Sequence, residues 1–537
     1  MSTPKSDASA ASLKAGDFPL GKFIGSFLAS SWASIMPAST FFYVFCLSFW
    51  DFMLHDILSA CVLIAIGLVA GYFILVLASW TIAKISVALV CKGKPIPEGK
   101  FATDYSSPEW RDFSMRHVSK KFSMWLFQHH VPHSLYRKYV GSFIKIGKHV
   151  ELPEYVAMEW AEIGDNTVFA RQTVFASHVI DGKVMILKHS KIGKNCIVDA
   201  DDETKRVVIM PSVTIEDDVI IKPGSYVSKD SVLKSGGIYK GDTFLERVGN
   251  VSDLSKAELD AYRKEVRKKR ELKSRMIEDW SAFKSGWPRF IVFLANVVGY
   301  TCALALVCLF LLLMTPWLVT ILGVFGHLIS IVLLPLLLFL AYGFYVYFPL
   351  IIIFKGVKHY GKNIPKLADD PKSQEVIDDP ALIESWRKCK WLKWRAIDRV
   401  NQSLFLDTSM IIYQHIGKND VAFKTVLYVS KLDTDNVTIG DNTILSFGCH
   451  IYAYKLENGA HPRLILKKTS VGRNCIIGSS IIEAGAKIGD DVVLGYHTGV
   501  PEDAILESGK TYAGNPAIEF NKFLELRRQL KDSSQKS

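Results

Sequence analysis

Apolar positions along this chain follow two rhythms. Charge-free stretches run from Phe23 to Trp50, from Ile57 to Ala83 and from Phe290 to Phe354. A membrane-spanning helix needs roughly 20 apolar residues. The first two stretches therefore predict one span each. The third predicts two, with a hairpin between Pro316 and His327 and Pro335 and Pro349 in the last helix; three short spans are the alternative. Elsewhere an aliphatic residue recurs about every six positions. The beat runs Ile186, Ile192, Ile209, Ile215, Ile221 and Val227, and again Ile465, Val471, Ile477, Ile482, Ile488 and Leu494. It predicts coils of short parallel strands, one aliphatic side chain per strand pointing inward, with Gly and small residues at the corners. A β-sandwich would instead need hairpin turns such as Asn-Gly, which are sparse.

The six-residue beat sits inside a larger repeat. The phrase Ile186-Leu187-Lys188-His189-Ser190-Lys191-Ile192-Gly193-Lys194-Asn195-Cys196-Ile197 returns as Ile465-Leu466-Lys467-Lys468-Thr469-Ser470-Val471-Gly472-Arg473-Asn474-Cys475-Ile476. Ile163-Gly164-Asp165-Asn166-Thr167 returns as Ile439-Gly440-Asp441-Asn442-Thr443. The expected fold is an α+β membrane protein with two left-handed parallel β-helix domains, each preceded by a transmembrane helix pair. The boundaries read 1–22 disordered tail, 23–91 first helix pair, 92–140 interfacial linker, 141–250 first β-helix and 251–287 basic connecting helix. Then follow 288–357 second helix pair, 358–405 interfacial linker, 406–520 second β-helix and 521–537 basic tail.

Both repeats resemble the hexapeptide-repeat acyltransferases, the group containing maltose, galactoside and serine acetyltransferases. The second copy carries more of the likeness, because Tyr512-Ala513-Gly514-Asn515-Pro516-Ala517 matches the Gly-Asn-Pro-Ala segment that closes many such domains. The first copy ends in the weaker Gly237-Ile238-Tyr239-Lys240-Gly241-Asp242. It also has Asp199 where the second has Gly478, and its acidic stretch Asp199 to Glu203 is expected to loop out of the coil.

Charge refines this picture. Mean hydropathy is +0.19. The formal net charge is +11, and it is concentrated beside the apolar runs, in Arg263 to Arg275, Lys92, Lys94 and Arg387 to Arg395. Under the positive-inside rule the protein is a multi-pass membrane protein with both termini and both β-helices cytosolic. The natural partner of that charge is a bilayer with anionic headgroups. No nucleic-acid reading module is present. The nine cysteines form no Cys-x-x-Cys pair, and Cys196 and Cys475 suit a reducing compartment. The aromatic-basic segments from Pro108 to Tyr139 and around Trp386, Trp391 and Trp394 read as elbows lying at the membrane surface. Ser255-Lys256-Ala257-Glu258 is a capping box opening a charged helix towards Trp280.

Acyl transfer needs a base for the acceptor proton and donors for the oxyanion. In the resembled acetyltransferases the base is a His on a strand-loop ahead of the long run of coils. That points to His450, followed by a loop from Ile451 to Arg463, and to His178 in the first copy. Counted from the repeated Ile-Gly-Asp-Asn-Thr phrase, however, His450 falls opposite Val174 and His178 opposite Tyr454; a four-residue slip in the loop region would reconcile the two. Gly478, Gly495, His497 and Asn515 are the candidates for the groove that takes a pantetheine arm. His129-His130-Val131-Pro132-His133 reads as part of an elbow, and no metal set is evident.

The order helix pair, linker, β-helix, twice over, also resembles the membrane-bound terminal region of poly-lysine-type nonribosomal peptide synthetases. The combined implication is a membrane-embedded acyltransferase with no tightly bound cofactor. Its donor would be an acyl-CoA or phosphopantetheine thioester, carrying an acyl or aminoacyl group to an amine or hydroxyl. A carrier protein or adenylating enzyme would be a partner, peptide-bond formation a possible chemistry, and a homo-oligomer a possible assembly. The alternative is a non-catalytic membrane scaffold built on β-helix platforms.

Overall fold

The structure is a computed structural model. It describes residues 20–534 apart from 50–55, 91–95, 103–106, 154, 157–159, 171–172, 182–183, 201–205, 242–244, 270–274, 285, 366, 368–372, 404–408, 417, 423–424, 428–430, 447 and 458–460. The expected N-terminal tail and the acidic loop after Ala200 lie outside the described residues. The chain divides into two compact units, residues 1–127 with 180–186, and residues 128–179 with 187–537.

In the first unit, helices Leu20–Ser48 and Ile57–Val90 pack along each other. Gly67 permits a close approach, since a Cβ there would press on the Phe45 ring. The chain then continues into helix Pro108–His129.

The larger unit holds six mainly parallel sheets in two sets of three. The six-residue beat becomes columns of inward side chains. In the first stack Ile163, Ile192, Ile215 and Leu233 lie in register, as do Phe175, Ile209 and Val227. In the second, Leu445, Ile477, Leu494 and Tyr512 form one column and Leu432, Ile451, Ile482 and Val500 another. All are buried. Each buried aliphatic side chain contributes on the order of 1.5–3 kcal/mol. The two repeated phrases build the same corner in each stack. Thr167 Oγ1 donates to Gly193 O at 2.9 Å, and Thr443 Oγ1 donates to Gly472 O at 2.7 Å. Asn166 and Asn195, like Asn442 and Asn474, adopt positive φ and link side chain to side chain at 3.3 Å. Short polar residues tolerate this left-handed backbone best after glycine. Cys196 and Cys475 fill the interior beneath, and burial pushes their thiols up to about 12 and about 11.

Two expectations change. The segment after His450 is not a loop: Tyr454–Glu457 and Arg463–Lys467 form an antiparallel hairpin, and Gln374–Ile377 adds a third strand. The helix opened by Ser255 spans Lys256–Lys268, with the capping box present, and Arg275–Ser281 is a separate helix. It does more than connect. Val266 is fully buried, and Leu259 and Tyr262 join it on a face of the first stack formed by Val168, Ile197, Ile220 and Ile238. Buried Asp199 accepts from Lys269 Nζ at 3.2 Å on the segment that follows.

Among the described residues, three helices are long and apolar enough to cross a membrane: Val62–Val90, Trp287–Val307 and Val324–Tyr360. The Phe23–Trp50 stretch does form a helix, but Ser26, Ser30, Ser31, Ser34 and Ser39 dilute its apolar character and it is not among the three. The Phe290–Phe354 stretch turns at Gly323, whose φ of 57° suits glycine. Helix Pro380–Asn401 has an extensive buried face. Its Trp386, Leu392, Ala396 and Val400 are buried in cores shared with the second stack and, through Val292, Val346, Leu350 and Ile353, with the apolar helices. Pro349 has no N–H for the Tyr345 carbonyl. Arg399 takes that acceptor instead, and also donates to Val346 O at 2.9 Å and Asn296 Oδ1 at 2.5 Å.

Candidate functional site

The two stacks meet at a seam built from strand register alone. His450 pairs with Ile481, and Ile481 with Gly499. Two residues earlier, Gly448, Ser479 and His497 therefore occupy one corner column on three successive coils. In the first stack Val208 pairs with Tyr226, so Arg206 and Gly224 form the corresponding column. Adjacent coils lie about 4.8 Å apart.

These columns touch level by level. Arg206 Nη1 donates to Ser479 Oγ at 2.8 Å and also to the Gly448 carbonyl. One coil on, His497 Nε2 lies 3.4 Å from the Gly224 carbonyl oxygen, and its ring stacks on Tyr226 at 6.5 Å between centroids. Val174 opens its strand and pairs with Val208, as His450 opens its own and pairs with Ile481. In that alignment Arg206 is the counterpart of Ser479, and Gly224 of His497. Equivalent corners meet each other, so the stacks run side by side, parallel and in register.

The seam is tightly packed. Arg206 is 4% exposed. Gly448 has φ +71°, and a Cβ there would collide with the Arg206 guanidinium, so both conformation and space call for glycine. Burial pushes the neighbouring Cys449 thiol up to about 12, with Arg206 opposing the rise. Tyr496, next to His497, has its phenol raised by burial against a hydrogen bond with Ser446.

The residues singled out from sequence fall at different depths. His450 opens strand His450–Ile451 two residues past Gly448, is 4% exposed, and donates its backbone N–H to Ser480 O at 2.9 Å. His178 opens strand His178–Asp181 at intermediate burial. It begins the excursion that Tyr454 begins in the second copy, so the two histidines hold different coil positions, as the direct count from the repeated phrase gives. Gly478 is a stacking corner, because a Cβ there would run into the backbone of Gly495. Gly495 donates to Tyr512 O at 2.8 Å. Asn515 lies over Gly499, where a Cβ would strike its carboxamide. His497, half-buried, touches the opposite stack. Arg206, Tyr226 and Ser479 were missed from sequence; the register count from His450 and Ile481 was the signal that could have found Ser479. Among the described residues no group of three His, Cys, Asp or Glu side chains is placed to hold a metal ion.

No family model matches the chain, and no curated protein matches it. Solved structures do. A galactoside acetyltransferase in complex with coenzyme A is 19% identical, covering 24% of this chain and 78% of that one, with a TM-score of 0.20. A hexapeptide-repeat acetyltransferase of Vibrio cholerae complexed with acetyl coenzyme A is 14% identical, covering 25% and 88%, with a TM-score of 0.21. A serine acetyltransferase of Brucella abortus in complex with coenzyme A is 15% identical, covering 32% and 67%, with a TM-score of 0.17. The structural neighbours are thus hexapeptide-repeat acyltransferases that match a quarter to a third of this chain.

Proposed function

We propose that this chain is a membrane-embedded acyltransferase that uses two left-handed β-helices, each preceded by a transmembrane helix pair, as tandem halves of a catalytic assembly. The observation that carries the reading is the in-register seam, where Arg206 and Gly224 face their own counterparts and His497 reaches across. Hexapeptide acyltransferases build their clefts between subunits, and a tandem chain brings two such coils together without association. The donor is an acyl or aminoacyl thioester of coenzyme A or a phosphopantetheine carrier; the acceptor is an amine or hydroxyl presented near the bilayer. An imidazole accepts the acceptor's proton as its nitrogen or oxygen attacks the thioester carbonyl. The C–S bond then breaks and the proton passes to the departing thiolate. His450, His178 and His497 are the candidate bases. Gly478, Gly495 and Asn515 shape the wall along which the pantetheine arm lies. Aminoacyl donors would make the product a peptide bond, with an adenylating enzyme upstream.

The test is transfer from labelled acetyl-CoA and aminoacyl thioesters to amine and lipid acceptors by detergent-purified protein. Replacing the base should lower kcat about 10²–10⁴-fold. His450→Ala, His178→Ala and His497→Ala identify which imidazole serves. No transfer from any donor, or equal rates in all three variants, overturns the reading. The near-complete burial of His450 and the closed Arg206 contact favour a second reading, a rigid non-catalytic scaffold, which predicts that null result together with unchanged stability on donor addition.

A further inference from the structure

Where the apolar helix Val324–Tyr360 ends, a cavity of about 430 Å³ opens between that helix end, helix Pro380–Asn401 and the second stack. Its floor is ionic. Lys390 Nζ lies 2.5 Å from Asp433 and 2.6 Å from Asp435, and Lys393 Nζ lies 2.5 Å from Asp435. Two lysines and two carboxylates balance there. The rim adds Lys358 and Lys362, both exposed, and neither forms an ion pair among the described residues. The cavity mouth therefore carries a surplus positive charge over a buried polar floor, between apolar walls that include Val357, Ile364 and Leu466.

Trp386 supplies an independent sign. It lines the cavity, is fully buried, and its Nε1–H has no acceptor among the described residues. A buried indole N–H ordinarily finds a partner. An anionic oxygen entering the cavity would provide one.

We infer that this cavity binds the phosphate group of an anionic lipid, with Lys358 and Lys362 at its mouth and the Trp386 indole within. The membrane reading of helix Val324–Tyr360 puts the mouth at headgroup depth, and the apolar walls suit the first carbons of the acyl region. The inference rests on that membrane reading and not on acyl transfer.

The full chain is reconstituted in phosphatidylcholine nanodiscs containing a minor share of phosphatidic acid, and retained lipid is read by native mass spectrometry. Retained phosphatidic acid should exceed phosphatidylcholine roughly tenfold relative to their supply. Lys358→Glu with Lys362→Glu should abolish the preference, and Trp386→Phe, which keeps the ring, should weaken it roughly threefold. Lys264→Glu with Lys268→Glu, on the connecting helix, should leave it intact. Equal loss in that control would mean general surface charge and overturn the site. Inorganic phosphate added to lipid-free protein in detergent is the second arm. Thermal protection by phosphate, without selective lipid retention, overturns the lipid assignment; no effect of either probe overturns the site.

Discussion

Lys390, Asp433, Asp435 and Lys393 form a buried ionic group on which one residue change has a large expected effect. Burial opposes the charge on Lys390, but Asp433 and Asp435 more than compensate and hold its ammonium above the ordinary value of 10.5. Burial likewise opposes ionisation of Asp435, yet Lys390 and Lys393 keep its carboxyl well below 3.8. Asp433 works in the other sense, since burial holds it above its ordinary value. For Lys390, raised in the folded state, the stabilisation is complete below 10.5 and is lost as pH climbs through the folded value. For Asp435, depressed in the folded state, it is present above 3.8 and lost as pH falls through the folded value. Stability should therefore decline at the alkaline end as Lys390 loses its proton, while at the acid end the loss from Asp435 is opposed by Asp433, whose raised carboxyl favours the folded state on protonation. Lys390→Met strands two buried carboxylates on one remaining lysine and should cost about 3–5 kcal/mol at neutral pH. It should also remove the alkaline decline that this group causes. Thermal unfolding in detergent across pH measures both; an unchanged melting temperature would remove the group from the list of stabilising contacts.

At the scale of elements, the seam is a contact between two corner columns, and its weakest tolerance is at Gly448. Gly448→Ala imposes a strained left-handed residue and drives a methyl into Arg206. The expected cost is about 1–3 kcal/mol, with the hydrogen bonds from Arg206 to Gly448 and Ser479 loosened. Hydrogen exchange should accelerate at Ser479 to Thr498 and at Arg206 to Tyr226 while the far faces of both stacks stay protected. Uniform acceleration over both stacks would instead mean global destabilisation. The contact between helix Pro380–Asn401 and the apolar helices follows related logic: Pro349 withholds a donor, and Arg399 supplies one from another element.

For the molecule as a whole, three apolar helices argue for membrane association. Three crossings alone would leave the termini on opposite faces, so the cytosolic placement of both that the flanking Lys and Arg predict requires helix Leu20–Ser48 as a fourth crossing. Tags at both ends of the chain should be accessible to protease only after the cytosolic face is exposed, and the protein should resist alkaline carbonate extraction. Opposite accessibility of the two ends would require an odd number of crossings. Much of this architecture was legible in sequence. The Ile192–Ile215 and Ile477–Leu494 columns follow from a six-residue beat, and the Ser255 cap was readable from local residue identity. The buried contacts of helix Pro380–Asn401 were not legible, because Trp, Lys and Arg in alternation look the same whether they face lipid headgroups or a second protein surface with Asp433 and Asp435 upon it.

Sequence alone determined what is periodic or local. Inward aliphatic columns, Asn corners at positive φ, helix caps and charge-free spans each depend on residues close together in the chain. A direct count sets His178 opposite Tyr454 but leaves open a four-residue slip that would set it opposite His450. Only the tertiary structure decided which corner of one stack meets which corner of the other, and that the cation at the seam is Arg206. It alone decided that four charged groups share a buried space below Lys358 and Lys362. Those contacts join residues tens to hundreds of positions apart. Their energies depend on burial and register across elements, which no pattern within a single element encodes.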